Sequence, residues 1–163
     1  MAIYNGCCFF GPRNMGFSDK LYNEVSKLID KLVLYHFVGE LYFQNANGFE
    51  AICKAASQVI KSQYDYVTRY MTVPRAKTSR EVPVLSIEHK RMYDELWVTN
   101  LSDICYKEKE RFNQYEMVQR SDFCIFYIDS MIQTDIIDMY KYAKMHKRTC
   151  INLGSYRDNI IDK

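Results

Sequence analysis

Short apolar runs of strand length alternate with longer segments of helical periodicity along this chain, and that order restricts the fold more than any other feature. Ile3 to Phe10 is an apolar run closed by Gly11-Pro12-Arg13, a strand followed by a turn. Ser18 then stands as an N-cap before Leu21, Val25, Leu28, Ile29 and Leu32 at helical spacing. Glu40 to Phe43 reads as a second strand, and a helix from about Phe49 to Ser62 places Phe49, Ile52, Cys53, Ala56, Val59 and Ile60 on one face. Tyr64 to Val73 reads as a third strand and Glu95 to Thr99 as a fourth. A helix over Lys107 to Arg120, a strand over Phe123 to Ile128, a helix over Thr134 to His146 and a strand over Thr149 to Leu153 complete the order. Strands separated by helices imply crossover connections and parallel pairing. The expected fold is therefore α/β: a Rossmann-like three-layer sandwich whose mainly parallel sheet has at least five strands. Ile3–Phe10 and Phe123–Ile128 are apolar throughout, so they are expected to be central and adjacent.

The 163 residues suit a single domain, 1–163, without repeats or linkers. A net charge of +2 provides no broad basic field and argues against a nucleic-acid partner. Six cysteines without a CxxC pair, and three scattered histidines (His36, His89, His146), predict free thiols, no disulfide and no metal. The start of the chain lacks a basic region followed by an apolar core, and no apolar run approaches the ~18 residues of a membrane span. A cytoplasmic protein with no membrane partner and no cofactor is expected. Fourteen tyrosines suggest half-buried surfaces or a homo-oligomer interface. Between 74 and 93, Pro74 and Pro83 oppose long regular structure. The nearby Arg69, Arg75, Lys77 and Arg80 make that region either a solvated loop or a flap that contacts an anion.

In open parallel sheets, ligands bind beyond the carboxyl ends of the strands. Three such ends carry unusual residues here. Gly11 permits close backbone approach and Arg13 supplies a planar fork for phosphate or carboxylate. Asn47 and Gly48 open a helix whose free N–H groups and dipole favour an anion, with capping by Asn47 as the plain alternative. Asp129 could accept from ribose hydroxyls, and Ser130 or Thr134 could donate to phosphate or simply cap a helix. On the helix before that strand, Arg111, Gln114 and Tyr115 share a face, while Met117 and Val118 turn inward.

Taken in order, these four segments resemble the SLOG superfamily, especially its small YpsA-like branch. That branch opens with a strand ending Phe-Thr-Gly-His/Tyr-Arg; this chain has Phe9-Phe10-Gly11-Pro12-Arg13. Its glycine pair followed by Gly-Phe-Asp and an alanine-rich helix corresponds to Gln44-Asn45-Ala46-Asn47-Gly48-Phe49-Glu50 and Ala55-Ala56. Its Arg-Asn-x-x-Met-Val-x-x-Ser-Asp helix resembles Arg111 through Met117-Val118 to Ser121-Asp122, with one extra residue here. Its Gly-Gly-Thr and following Tyr-Ala correspond to Ile132-Gln133-Thr134 and Tyr142-Ala143. Both glycine pairs are thus replaced, by Gln44-Asn45 and Ile132-Gln133. The resemblance implies a non-catalytic module for a nucleotide or nucleotide-derived ligand, with Gly11, Arg13, Asn47, Gly48, Arg111, Asp129, Ser130 and Thr134 around it. An N-glycosidic hydrolase like the Lonely Guy phosphoribohydrolases is the alternative, opposed by Ile136 and Ile137 where those enzymes place a carboxylate. A third reading is an oligomeric interaction protein whose pocket has decayed.

Overall fold

The computed structural model describes residues 3–75, 84–100 and 108–157. Lys77, Arg80, Pro83, Cys105 and Lys107 lie outside them, and with them two of the four cations of the basic segment. The elements are β1 (Asn5–Phe10), α1 (Asp19–His36), β2 (Val38–Phe43), α2 (Phe49–Gln63), β3 (Thr68–Arg75), α3 (Ile87–Lys90), β4 (Glu95–Asn100), α4 (Lys109–Arg120), β5 (Phe123–Phe126), α5 (Thr134–Met145) and β6 (Thr149–Asn152). The six strands form one sheet in the order β4-β3-β2-β1-β5-β6, and every pair is parallel. This is the expected Rossmann-like three-layer α/β fold. β1 and β5 pair directly, Cys7 to Phe10 against Phe123 to Phe126, and neither is an edge strand.

Alternation along the strands divides the core in two, because successive side chains point to opposite faces. Cys7, Phe9, Leu41, Phe43 and Ile125 pack with Leu21, Val25 and Ile29 of α1 and with Phe49, Ile52 and Ala56 of α2. Cys8, Phe10, Tyr42, Cys124 and Phe126 pack on the other face with Met117 and Val118 of α4 and Ile137, Tyr140 and Ala143 of α5. Ser18 caps α1 as expected, its hydroxyl accepting from the Leu21 N–H at 3.2 Å. No helix among the described residues is long and apolar enough to cross a membrane.

Several boundaries shift for local reasons. The first strand starts at Asn5, because Ile3 is fully exposed and adds nothing to the sheet. β3 begins four residues later than its alternation suggests: Tyr64 closes α2, and Lys61 Nζ holds the Asp65 and Val67 carbonyls at 2.8 and 2.6 Å in a turn. The same strand runs on through Pro74, which pairs with Thr99 of β4. Proline is tolerated there because pairing with β2 has already stopped at Met71. Arg69 is no part of an anion-contacting flap. It is buried in β3, and Asp94 receives its Nε at 3.1 Å and Nη2 at 3.2 Å.

Candidate functional site

A cavity of about 580 Å³ opens beyond the carboxyl ends of β1, β2 and β5. It spans the point where strand order reverses between β1 and β5, the place where open α/β sheets bind ligands. Gly11, Arg13 and Asn14 border it from the β1–α1 loop, Gln44, Ala46 and Glu50 from the β2–α2 side, and Glu110, Arg111 and Gln114 from α4. Ile132 to Ile136 and Met139 complete the wall at the start of α5. Of the eight residues expected around a ligand, Gly11, Arg13, Arg111 and Thr134 line this cavity; Asn47, Gly48, Asp129 and Ser130 do not.

The glycines work on the protein itself. A Cβ on Gly11 would fall 2.5 Å from ring atoms of Phe49, so the missing side chain makes room for that ring. Gly48 has φ 72°, ψ −126°, and a Cβ there would meet the Pro12 carbonyl oxygen at 2.1 Å. Its backbone conformation is accessible essentially to glycine alone. With the Phe49 N–H donating to Pro12 O at 2.9 Å, these glycines lock the β1–α1 loop onto the start of α2. Gly48 is the N-cap of α2 and no side chain caps that helix, so Asn47 is not a capping residue.

Glu50, absent from the expected set, is the most unusual side chain at the cavity. It sits in the first turn of α2 and is 3% exposed. Its Oε1 accepts from the backbone N–H groups of Gln44 and Ala46, both at 2.9 Å, and its Oε2 has no hydrogen-bond partner among the described residues. Burial pushes its pKa up to about 7, against the opposing pull of those N–H groups and of Lys54. The sequence carried a signal for it. Glu50, Cys53, Ser57 and Ile60 recur at helical spacing, and all four are buried.

An equivalent plug closes the β5–α5 loop. Gln133 Oε1 accepts from the N–H groups of Asp129 at 2.7 Å and Ser130 at 3.1 Å, while its Nε2 donates to Tyr127 O at 3.1 Å. The Asp129 carboxylate is turned to the Ser155 N–H and hydroxyl, at 3.0 and 3.1 Å, and the Ser130 hydroxyl accepts from the Ile132 N–H. Both side chains expected to meet a ligand therefore serve the loop. The sequence places Gln133 where the resemblance expects glycine, and its amide occupies the Asp129 and Ser130 N–H groups.

The cationic groups lie at the mouth. Arg13 pairs with Glu110, each side chain 57% exposed, and Arg111 approaches Asp138 at 3.8 Å while donating from Nε to Tyr115 Oη at 2.7 Å. Exposed pairs of this kind are worth about 1 kcal/mol or less, so an incoming anion can displace either carboxylate. α5 begins at the same cavity. No side chain caps it, and the N–H groups of Asp135 and Ile136, both lining the cavity, have no acceptor within the helix. Ile136 thus faces the cavity, whereas Ile137 belongs to the core. Among the described residues, no group of three or more His, Cys, Asp or Glu is placed to hold a metal ion, and the five described cysteines are free. No protein-family model matches this chain, and no curated protein matches it either.

Proposed function

We propose that this chain is a binding module for a small phosphate-bearing ligand of the nucleotide class, held in the cavity without turnover. The observation that carries this reading is the uncapped N-terminus of α5, which borders the same cavity as Arg13 and Arg111. Free N–H groups, the positive end of a helix dipole and two planar guanidinium groups form an anion-binding arrangement. The location at the strand-order reversal and the motif resemblance to the SLOG superfamily support the same ligand class. Ile136, with no acid–base chemistry, stands where related hydrolases carry a carboxylate, which supports binding over cleavage.

The test is a thermal-shift and calorimetric screen of nucleotides and sugar phosphates against wild type, Arg13→Ala and Arg111→Ala. Loss of one charged hydrogen-bond partner typically costs about 1.5–3 kcal/mol, or roughly 10- to 150-fold in affinity. A screen in which no phosphate ester binds wild type would remove this reading. Asp135, lining the cavity beside Thr134, favours one competing function, N-glycosidic hydrolysis with Asp135 in place of the missing carboxylate. Release of free base from a nucleoside monophosphate, abolished in Asp135→Asn, would establish that alternative.

A further inference from the structure

We infer that Asn47-Gly48 is a site of spontaneous covalent modification, where the Asn47 amide is lost through a cyclic imide and the joint between the β1–α1 loop and α2 is released. This is independent of what the cavity binds. The chain has two Asn-Gly pairs, Asn5-Gly6 and Asn47-Gly48. In an unfolded chain both are open to the reaction, because glycine has no Cβ to obstruct attack by its own backbone nitrogen on the preceding side chain. The fold treats them differently. In β1, Asn5 Nδ2 donates to His36 O at 2.8 Å and the Gly6 N–H donates to Asp122 Oδ2 at 3.1 Å. Asn47 is exposed in the β2–α2 loop, and among the described residues its side chain makes no hydrogen bond. The Gly48 N–H has no acceptor among them either. The rest of the loop is tied down. Asn45 Oδ1 accepts from Tyr93 Oη, the Ala46 N–H donates to Glu50 Oε1 and the Phe49 N–H donates to Pro12 O, each at 2.9 Å. Both reacting groups are therefore free within an anchored segment.

The reaction balances with water as its one co-reactant, and nothing is oxidised or reduced. The Gly48 nitrogen gives up its proton and attacks Asn47 Cγ, forming a new C–N bond. The Cγ–Nδ2 bond then breaks, and the amide nitrogen leaves with that proton as ammonia. Water next opens the imide at one of its two carbonyls. Opening at Cγ gives aspartate at 47, and opening at the main-chain carbonyl gives isoaspartate, with the chain running through Cβ and Cγ. Either product carries a new carboxylate. Isoaspartate also adds a methylene to the main chain between the anchored Ala46 and Phe49. Gly48 has φ 72°, and its Cα packs so closely that a Cβ would meet Pro12 O at 2.1 Å. The longer chain cannot keep that fit and the Phe49–Pro12 hydrogen bond together, so the lock on the start of α2 is lost.

The experiment ages wild type and Asn47→Gln at mildly alkaline pH, which favours removal of the glycine amide proton, both folded and in denaturing urea. Peptide mapping by mass spectrometry follows each Asn-Gly pair, and enzymatic carboxyl methylation detects isoaspartate. In the folded wild type, Asn47 should convert at least about tenfold faster than Asn5, because attack by Gly6 first requires two hydrogen bonds to break. In urea the two should convert at similar rates. Aged wild type should unfold at a lower urea concentration than fresh protein, while Asn47→Gln keeps its own midpoint on ageing. An Asn47 that stays intact in the folded protein over a period that converts it in urea would overturn the inference. So would equal rates at Asn5 and Asn47 in the folded protein, or an Asn5 as slow in urea as in the fold. An unchanged midpoint in protein rich in isoaspartate at 47 would overturn the loss of the lock.

Discussion

Replacing Glu50 by glutamine tests the unusual carboxylate at the cavity directly. Burial raises the folded-state pKa from the ordinary 4.5 to about 7, although the backbone N–H groups of Gln44 to Ala46 and Lys54 favour the charged form. The sign follows from proton uptake. Below 4.5 the carboxyl is neutral in both folded and unfolded chains, and no penalty arises. Between 4.5 and about 7 the folded protein binds more protons than the unfolded chain, so stability falls as pH rises. Above that window the loss is complete, and at about 1.4 kcal/mol per pH unit it amounts to about 3 kcal/mol. Glutamine keeps the oxygen that accepts from Gln44 and Ala46 but does not titrate. Any cost of its buried amide is independent of pH and cancels when two pH values are compared. Urea unfolding of both proteins at about pH 4 and about pH 8 should show Glu50→Gln gaining about 3 kcal/mol on wild type across the interval. For a chain of this length that is a relative rise in Tm of roughly 6–12 °C. A stability difference that stays flat with pH, or that turns against the variant as pH rises, would refute the reasoning.

Three further outcomes follow from the packing. Asp94→Ala strips the buried Arg69 guanidinium of its carboxylate, which receives three N–H groups at 2.8, 3.1 and 3.2 Å, and should destabilise by about 3–5 kcal/mol in urea. A loss under about 1 kcal/mol would show the pair to be solvated. Gly48→Ala forces an L-residue into a positive-φ conformation with its Cβ against Pro12 O, so it should lose at least about 2 kcal/mol in chemical unfolding; wild-type stability would mean the two loops are not locked together. Burial pushes the Cys7 and Cys53 thiols up, so both should resist thiol reagents in the native protein. All six thiols should titrate after denaturation without reductant, and recovery of four or fewer would reveal a disulfide.

Much of the fold was legible because the signals behind it are local. The apolar faces of the first two helices and the unbroken apolar runs at Cys7–Phe10 and Phe123–Phe126 are periodicities that survive whatever packs on them. Their alternation is enough to demand parallel pairing. The departures fell where a group outside the strand's own residues decides its extent. Lys61 postpones β3 by holding two carbonyls, and Pro74 stays in the strand only because its neighbour ends first. Neither can be read from propensity.

The candidate site divides along the same line. From the sequence alone came the strand ends that border the cavity and the cations Arg13 and Arg111, because strand ends follow from periodicity and long cations stay at a wet mouth. Which backbone donors remain free was decided by tertiary structure. Glu50 reaches back across the turn to Gln44 and Ala46, and Gln133 folds over Asp129 and Ser130; each sits on donors that a motif reading assigns to a ligand. Gly11 and Gly48 look like phosphate glycines in sequence, yet their space is filled by Phe49 and Pro12. A side chain's type sets what it can bind, but its acceptors are spent on the donors that folding brings nearest, and that distance exists only in three dimensions.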